Sequence, residues 1–409
     1  MPGRQLKIAI LSVHSCPLGH LGGKDTGGMS VYVREVAREL GKLGHSVDVF
    51  TRQHDPQDAT VQLGPNARLI HLPAGGNGEI DKIDLYSYLP DFSFNLENFR
   101  RENDLQYDLI FSHYWLSGVV GKILQRWWCV PHVIMFHTLG AVKNTYAIGD
   151  AEPELRLDTE KELVQDCSGI IAATRHEKKA LVERYGARPE RIQVIPCGVN
   201  LELFQPVERA LARQRLGLDG QKLILFVGRM EPIKGIDQLL KALPQLPDSE
   251  RVRLLIIGGD DHSLYELERL KALARASRIE SRVTFVGSVK QEQLPYFYSA
   301  ADVCVSPSYH ESFGLVPLEA LACGTPVVAT DVGAMRSIIR NEEMGYVVAD
   351  NSPRRLAAKI ALILARPQMD ASAVQTIRDS VSRFSWTRTA SAIVKVCRQA
   401  QAEHLAVPL

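Results

Sequence analysis

A chain of 409 residues has room for two or three domains, and its 45% hydrophobic and 23% charged content is that of a globular protein rather than a disordered or fibrous one. A formal net charge of +1 excludes the broad basic field that gathers nucleic acid or anionic lipid. The cysteines at 16, 129, 167, 197, 304, 323 and 397 are odd in number and contain no C-x-x-C pair, which speaks against a disulfide framework or a zinc site and for a reducing compartment.

The opening "MPGRQLKIAILSV" has too short an apolar run for a secretory signal, and no segment approaches the length of a membrane span. A cytoplasmic location is expected. Along the chain, short apolar runs alternate with amphipathic helical stretches. Strands are expected at 6–13, 45–52, 67–74, 107–114, 131–138, 169–175 and 191–196. The stretch "IPCGVNLELFQP", with Pro196, Gly198 and Pro206, reads as a linker. The pattern then restarts, with strands at 222–229, 251–259, 282–289, 301–308, 326–330 and 345–350. Continuous apolar runs imply strands buried on both faces, and hence parallel sheets covered by helices. The expected fold is α/β, with two doubly wound, Rossmann-like domains facing across a cleft. Residues 1–198 would form the first and 199–386 the second, with a tail helix at 387–409 returning to the first.

In such sheets ligands gather beyond the carboxyl ends of the strands, so chemistry is sought there. After the first strand lie His14 and the loop "GHLGGKDTGGMS", whose Gly27 and Gly28 precede a helix and let backbone approach a ligand closely. The spacing is not G-x-G-x-x-G, which weighs against an NAD oxidoreductase. His113 and Tyr114 follow the strand "YDLIF", and His137 and Thr138 follow "PHVIMF". The segment "WLSGVVGKILQRWW" (115–128) carries Lys122, Arg126 and a tryptophan pair. It reads as a helix with its aromatic face inside, so membrane contact is not expected.

In the second half, "FVGRMEPIKG" places Arg229 and Lys234 just beyond a buried strand, where a guanidinium fork and an ammonium can neutralise a diphosphate. The stretch "HESFGLVPLEALACGTPVVAT" places Glu311 in a loop at a strand end, with Glu319 on the helix that follows. Ser312 would cap that helix, exposing the N–H groups near Phe313, Gly314 and Leu315 to an anion. Carboxylates beside such a cradle suit the hydroxyls of a sugar or ribose, so the combination suggests a nucleotide sugar. Taken alone, the glutamate pair is more often a solvated helix position and a loop charge, and each histidine is more often structural, whereas the Arg229–Lys234 and Gly27–Gly28 motifs are as often functional as an ordinary basic pair or loop. No D-x-D occurs, so no metal is expected to hold the diphosphate; Arg229, Lys234 and the helix start would serve instead, and no cofactor is expected beyond the nucleotide-sugar co-substrate.

Together, "GGMSVYVREVARELGKLGHSVDVFT", "VGRMEPIKG" and "HESFGLVPLEALACGTPVVAT" resemble the retaining glycosyltransferases of family four, which have the GT-B fold. The resemblance covers nearly the whole chain. It implies that Glu311 contacts the donor sugar, Glu319 holds the ribose, Arg229 and Lys234 hold the diphosphate, Gly28 lies near the β-phosphate and His137 near the reacting centre. "SHYWLSG" (112–118) and "HTLGAVKN" (137–144) further resemble the inositol-phosphate branch of the family, next to that of the sucrose-phosphate synthases. That likeness implies an acceptor phosphate held by Lys82, Tyr114, Thr138 and Arg156, with His14 and the loop from Asp25 to Ser30 along the acceptor hydroxyls. Ser30 stands where that branch has asparagine.

The expected activity is transfer of a sugar from a UDP-linked donor, UDP-GlcNAc or UDP-Glc, to a small phosphorylated polyol such as inositol phosphate. Fructose 6-phosphate as acceptor, a GT-B epimerase or hydrolase, and a noncatalytic nucleotide-sugar-binding protein are the alternatives. The expected partners are therefore the nucleotide sugar and the polyol, without nucleic acid; a homodimer is compatible with the sequence and not specified by it.

Overall fold

Two parallel sheets, each covered by helices, organise the chain. The computed structural model describes residues 4–19, 26–148, 151–218, 220–247 and 251–406. The chain divides into a first unit of Met1–Gly19, Gly28–Pro196 and Trp386–Leu409, and a second of His20–Gly27 and Cys197–Ser385.

The sheet of the first unit has eight strands: β1 (Lys7–Leu11), β2 (Ser46–Arg52), β3 (Val61–Gly64), β4 (Ala67–Leu72), β5 (Leu109–His113), β6 (His132–Met135), β7 (Gly169–Ala172) and β8 (Ile192–Val194). Their order is β3-β4-β2-β1-β5-β6-β7-β8, and every pair is parallel except β3 with β4. Runs such as Ile8 to Leu11 and Leu109 to Phe111 are wholly buried, as strands flanked on both faces require. The direction of winding reverses between β1 and β5, so the carboxyl ends of these two strands form the natural ligand crevice. His14 follows one and His113 and Tyr114 end the other.

The second unit holds β9 (Lys222–Val227), β10 (Val252–Ile257), β11 (Val283–Gly287), β12 (Val303–Ser306), β13 (Val327–Thr330) and β14 (Gly345–Val348). The order is β11-β10-β9-β12-β13-β14, parallel throughout. Here winding reverses between β9 and β12, the strands that lead into Arg229 and Glu311.

Strand β3 was not expected. Val61 and Gln62 are exposed and the strand pairs antiparallel at the sheet edge, so it lacks the apolar run that marks its neighbours. The signal was the turn Gly64-Pro65-Asn66, where Asn66 takes a φ of 54°, a left-handed conformation that asparagine tolerates.

The helix Trp386–Ala406 packs on the first unit through buried Ile393, Cys397 and Ala400. Thr387 Oγ1 donates to Glu39 Oε2 at 2.6 Å, and Thr389 Oγ1 to Pro196 O at 2.9 Å. The stretch read as a linker is pinned within the second unit. Val199 N donates to Phe384 O at 2.7 Å, and the Arg378 guanidinium donates to Leu201 O, Phe204 O and Ala322 O. The helix Tyr114–Trp128 buries Trp115, Leu116, Val120 and Leu124. Trp128 stacks on Tyr107 and its Nε1 donates to Glu97 Oε2 at 2.7 Å, while Trp127 faces outward. Among the described residues, no helix is long and apolar enough to cross a membrane.

Candidate functional site

In the first unit, a cationic cluster forms beyond the carboxyl ends of β1, β5 and β6. Arg156 lies on the helix Glu154–Asp166 and is 1% exposed, a depth at which a cation must be paired. Its Nε donates to Glu160 Oε1 at 2.7 Å, and its Nη2 donates to Thr138 O at 2.9 Å and Thr138 Oγ1 at 3.0 Å. Nη1 stands 2.8 Å from Glu152 Oε2 as an ion pair without a directed hydrogen bond. The guanidinium carbon sits 4.7 Å from the centre of the Tyr114 ring, within cation–π range. Tyr114 in turn lies 4.5 Å, ring to ring, from His14.

Burial drives the His14 pKa well below its ordinary value, and the nearby positive charges of Lys82 and Arg156 push it the same way. His14 is therefore neutral at pH 7, and its buried Nδ1 has no hydrogen-bond partner. A neutral polar atom left over among cations is what a site for a polar anion leaves in the protein alone. Lys82 opens the helix Lys82–Tyr86, whose N-cap is Asp81. The loop before it is held by Arg52, a buried side chain that donates to Gly76 O at 3.0 Å and to Gly78 O.

Two non-glycine residues with positive φ lie at the same strand ends. His137 has a φ of 61°, and Thr138 N donates back across it to Phe136 O at 2.7 Å, which makes a γ-turn. Tyr114 has a φ of 74°. Non-glycine residues hold such angles only where the surroundings enforce them, and these outliers gather at functional sites. Ser30 is buried on the helix Gly28–Lys42, which Gly28 opens, and its Oγ lies 2.7 Å from Ser15 Oγ. Asp25 lies outside the described residues.

In the second unit, Arg229 follows β9 and its Nη1 lies 2.7 Å from Glu231 Oε1. Lys234 ends the turn Pro232–Lys234, and its Nζ donates to Glu311 Oε1 at 2.7 Å. Ser308 Oγ donates to the same oxygen at 2.9 Å. Burial alone would raise the Glu311 pKa, but Lys234, Ser308 and His310 outweigh it and hold the carboxyl below its ordinary value. Gly235, at a φ of 68°, lets this turn approach β12: a Cβ there would fall 2.2 Å from Pro307 O.

Ser312 does not cap the following helix. That helix runs Leu315–Ala322, and its N-cap is Gly314 at a φ of 110°, a residue with no side chain to cap it. A Cβ on Gly314 would meet Met335 Cε at 2.1 Å, so no serine or asparagine fits the cap. Gly314 offers the first-turn N–H groups no side-chain acceptor of its own, and Pro317 has no N–H to satisfy. Phe313 is buried. Glu319, one turn further, is also buried, and its Oε2 accepts from Tyr298 Oη at 2.8 Å.

The geometry thus collects His14, Lys82, Tyr114, His137, Thr138 and Arg156 in one unit, and Arg229, Lys234, Glu311, Phe313, Gly314, Leu315 and Glu319 in the other. Sequence reading passed over Glu152, Glu160, Tyr185, Tyr298 and Arg52, which hold these groups in place. Tyr185 Oη donates to Glu160 Oε2 at 2.5 Å and accepts from Ala141 N at 2.9 Å. The spacing of Glu152, Arg156 and Glu160, four apart, was a legible signal for the buried pair. Among the described residues, no group of three or more His, Cys, Asp or Glu side chains is arranged to hold a metal ion.

Two family models match, Glycosyltransferase Family 4 over residues 26–203 and Glycosyl transferases group 1 over residues 208–380. A D-inositol 3-phosphate glycosyltransferase of Xylanimonas cellulosilytica is 40% identical over 414 residues, covering 98% of this chain and 98% of its own. The chain belongs to glycosyltransferase family 4. A second family-4 relative, the D-inositol 3-phosphate glycosyltransferase of Rhodococcus erythropolis, is 40% identical over 97% of this chain and 92% of its own. The sucrose-phosphate synthase of Thermosynechococcus elongatus superposes with a TM-score of 0.88 at 36% identity, covering 98% of this chain and all of that one. The paired parallel sheets of the two units are those of the GT-B fold, and the protein is a family-4 glycosyltransferase.

Proposed function

We propose that this glycosyltransferase moves a sugar, with retention at the anomeric carbon, from a UDP-linked donor to a hydroxyl of an inositol phosphate. UDP-GlcNAc and UDP-Glc are the first candidates for donor. The observation that carries the acceptor reading is the buried Arg156, anchored on Glu160 and bonded to Thr138, with Lys82 and a neutral His14 beside it. A planar fork, an ammonium and hydroxyl donors are the groups that bind a phosphate monoester. The names of the relatives favour inositol 3-phosphate as that monoester.

On the donor side, Arg229 and Lys234 would grip the diphosphate, with the first-turn N–H groups of the helix Leu315–Ala322 beside them. Glu319 would accept the ribose hydroxyls. Charge accumulates on the diphosphate as it leaves, so these cations stabilise the transition state more than the ground state. Glu311 is engaged by Lys234 and Ser308, which suits a carboxylate that binds sugar hydroxyls rather than one that attacks carbon. The acceptor oxygen would therefore attack on the face from which the diphosphate departs: the new C–O bond forms as the old one breaks, and a departing phosphate oxygen takes the acceptor proton. No metal or other cofactor enters this scheme.

A second reading, transfer to fructose 6-phosphate, is favoured by the likeness to sucrose-phosphate synthase. A UDP-release assay across several donors, with inositol 3-phosphate, fructose 6-phosphate and unphosphorylated inositol as acceptors, separates the readings. The proposal expects release with inositol 3-phosphate alone. Release with no acceptor would make the protein a hydrolase or epimerase, and release with fructose 6-phosphate alone would establish the second reading.

A further inference from the structure

His113 ends β5 and His137 lies two residues beyond the neighbouring β6, and their rings meet, with His113 Nδ1 lying 2.9 Å from His137 Nε2. The Tyr32 ring packs edge-on against both, at 5.6 and 5.1 Å between centroids. Burial lowers both pKa values, that of His137 to about 3. Near neutral pH the pair is two neutral imidazoles sharing one hydrogen bond, which leaves two arrangements of protons.

In the first, His113 carries its proton on Nδ1 and donates, and His137 accepts at Nε2 and carries its own proton on Nδ1. In the second, His137 donates from Nε2, and His113 must carry its proton on its own Nε2. That atom is buried and has no hydrogen-bond partner. The second arrangement therefore strands a buried N–H, whereas the first strands only a lone pair. Orphaned buried donors are the rarer and costlier of the two.

We infer that His113 is a positioning residue that holds His137 in its Nδ1–H tautomer, so that the ring presents a hydrogen-bond donor rather than a base at Nδ1. The γ-turn at His137 fixes the backbone while His113 fixes the ring, so the single proton is aimed from both ends.

Long-range proton–nitrogen NMR of the full chain labelled with 15N-histidine reads the tautomer directly, with no ligand present. The expected result is His137 protonated on Nδ1 and bare on Nε2. The reverse assignment overturns the inference. Two variants separate positioning from packing. His113→Asn keeps an amide N–H near the position of Nδ1, and should retain the tautomer and a turnover within about tenfold of the parent. His113→Phe keeps the ring and loses the donor; it should release the tautomer and lower kcat about 100-fold, with little change in acceptor KM. If His137 keeps its Nδ1 proton in His113→Phe, His113 does not set it and the inference fails. If the tautomer is lost and transfer by the donor–acceptor pair found in the release assay is unaffected, the tautomer has no part in transfer and the positioning role of His113 falls.

Discussion

Lys234 Nζ and Glu311 Oε1 form a direct ion pair, 2.7 Å apart, at the carboxyl ends of β9 and β12. In the proposed donor site one is a phosphate ligand and the other a sugar ligand. Each therefore holds the other in place before a nucleotide arrives, so little reorganisation is needed on binding.

Arg229 pairs with Glu231 at 2.7 Å, in a more exposed position than the Lys234–Glu311 pair. If it stabilises the charge that develops on the leaving diphosphate, Arg229→Ala should lower kcat about 100-fold while donor affinity changes less than tenfold. Steady-state kinetics together with UDP titration calorimetry measure both. A loss confined to donor binding would contradict an assignment to the transition state.

Tyr298 is wholly buried and spends its hydroxyl on Glu319 Oε2, which fixes the carboxylate that would take the ribose. Tyr298→Phe should weaken UDP binding about fivefold, near 1 kcal/mol. The same substitution should leave the binding of 2′,3′-dideoxyuridine diphosphate nearly unchanged, because that ligand has no ribose hydroxyls to lose. Equal weakening of both ligands, measured by calorimetry, would show that Tyr298 supports the fold and not the carboxylate.

Tyr185 links Glu160 to the backbone at Ala141 and so steadies the counter-ion of Arg156. Tyr185→Phe should raise the KM for the phosphorylated acceptor several-fold, since a hydrogen bond to a charged group contributes about 1.5–3 kcal/mol, while kcat and the donor KM stay close to the parent. Acceptor-saturation curves at fixed donor test this.

Acid should weaken the first unit before the second. His132 and His137 have folded pKa values near 3, lowered chiefly by burial, against about 6.5 in an unfolded chain. A depressed histidine pKa contributes stability that is complete above the unfolded value and is lost as pH falls from 6.5 toward 3. At pH 5 the shortfall is about 1.5 units, or on the order of 2 kcal/mol for each residue. Both lie in the first unit, as do His14 and His113, which shift the same way. Hydrogen exchange at pH 7.5 and pH 5 should show protection falling in β5 and β6 and holding in β9 and β12.

The parts of this architecture that the sequence made legible are those in which one physical requirement acts alone. Strands buried on both faces must be apolar, so β1, β5, β9 and β12 stood out, and the residues just after them pointed to the site. The cap of the helix Leu315–Ala322 was misplaced because its serine signal at 312 competes with a tertiary constraint, the Met335 side chain against Gly314, that no local pattern shows. Edge strand β3 was missed because half of it faces solvent. Tyr298 and Tyr185 were invisible for another reason: each is distant in sequence from the carboxylate it holds, 21 and 25 residues away, and no local pattern marks so remote a pair.

The most direct test of the account is a pair of Michaelis constants measured on two variants, Arg156→Lys and Glu319→Gln. Arg156→Lys keeps the charge and loses the fork; it should raise KM for the phosphorylated acceptor tenfold or more, leave donor KM unchanged, and have little effect on an unphosphorylated acceptor. Glu319→Gln should do the opposite, raising donor KM alone. If both substitutions raise the same constant, or if Arg156→Lys penalises phosphorylated and unphosphorylated acceptors alike, then the first unit does not read the acceptor phosphate and the assignment of the two sites is wrong.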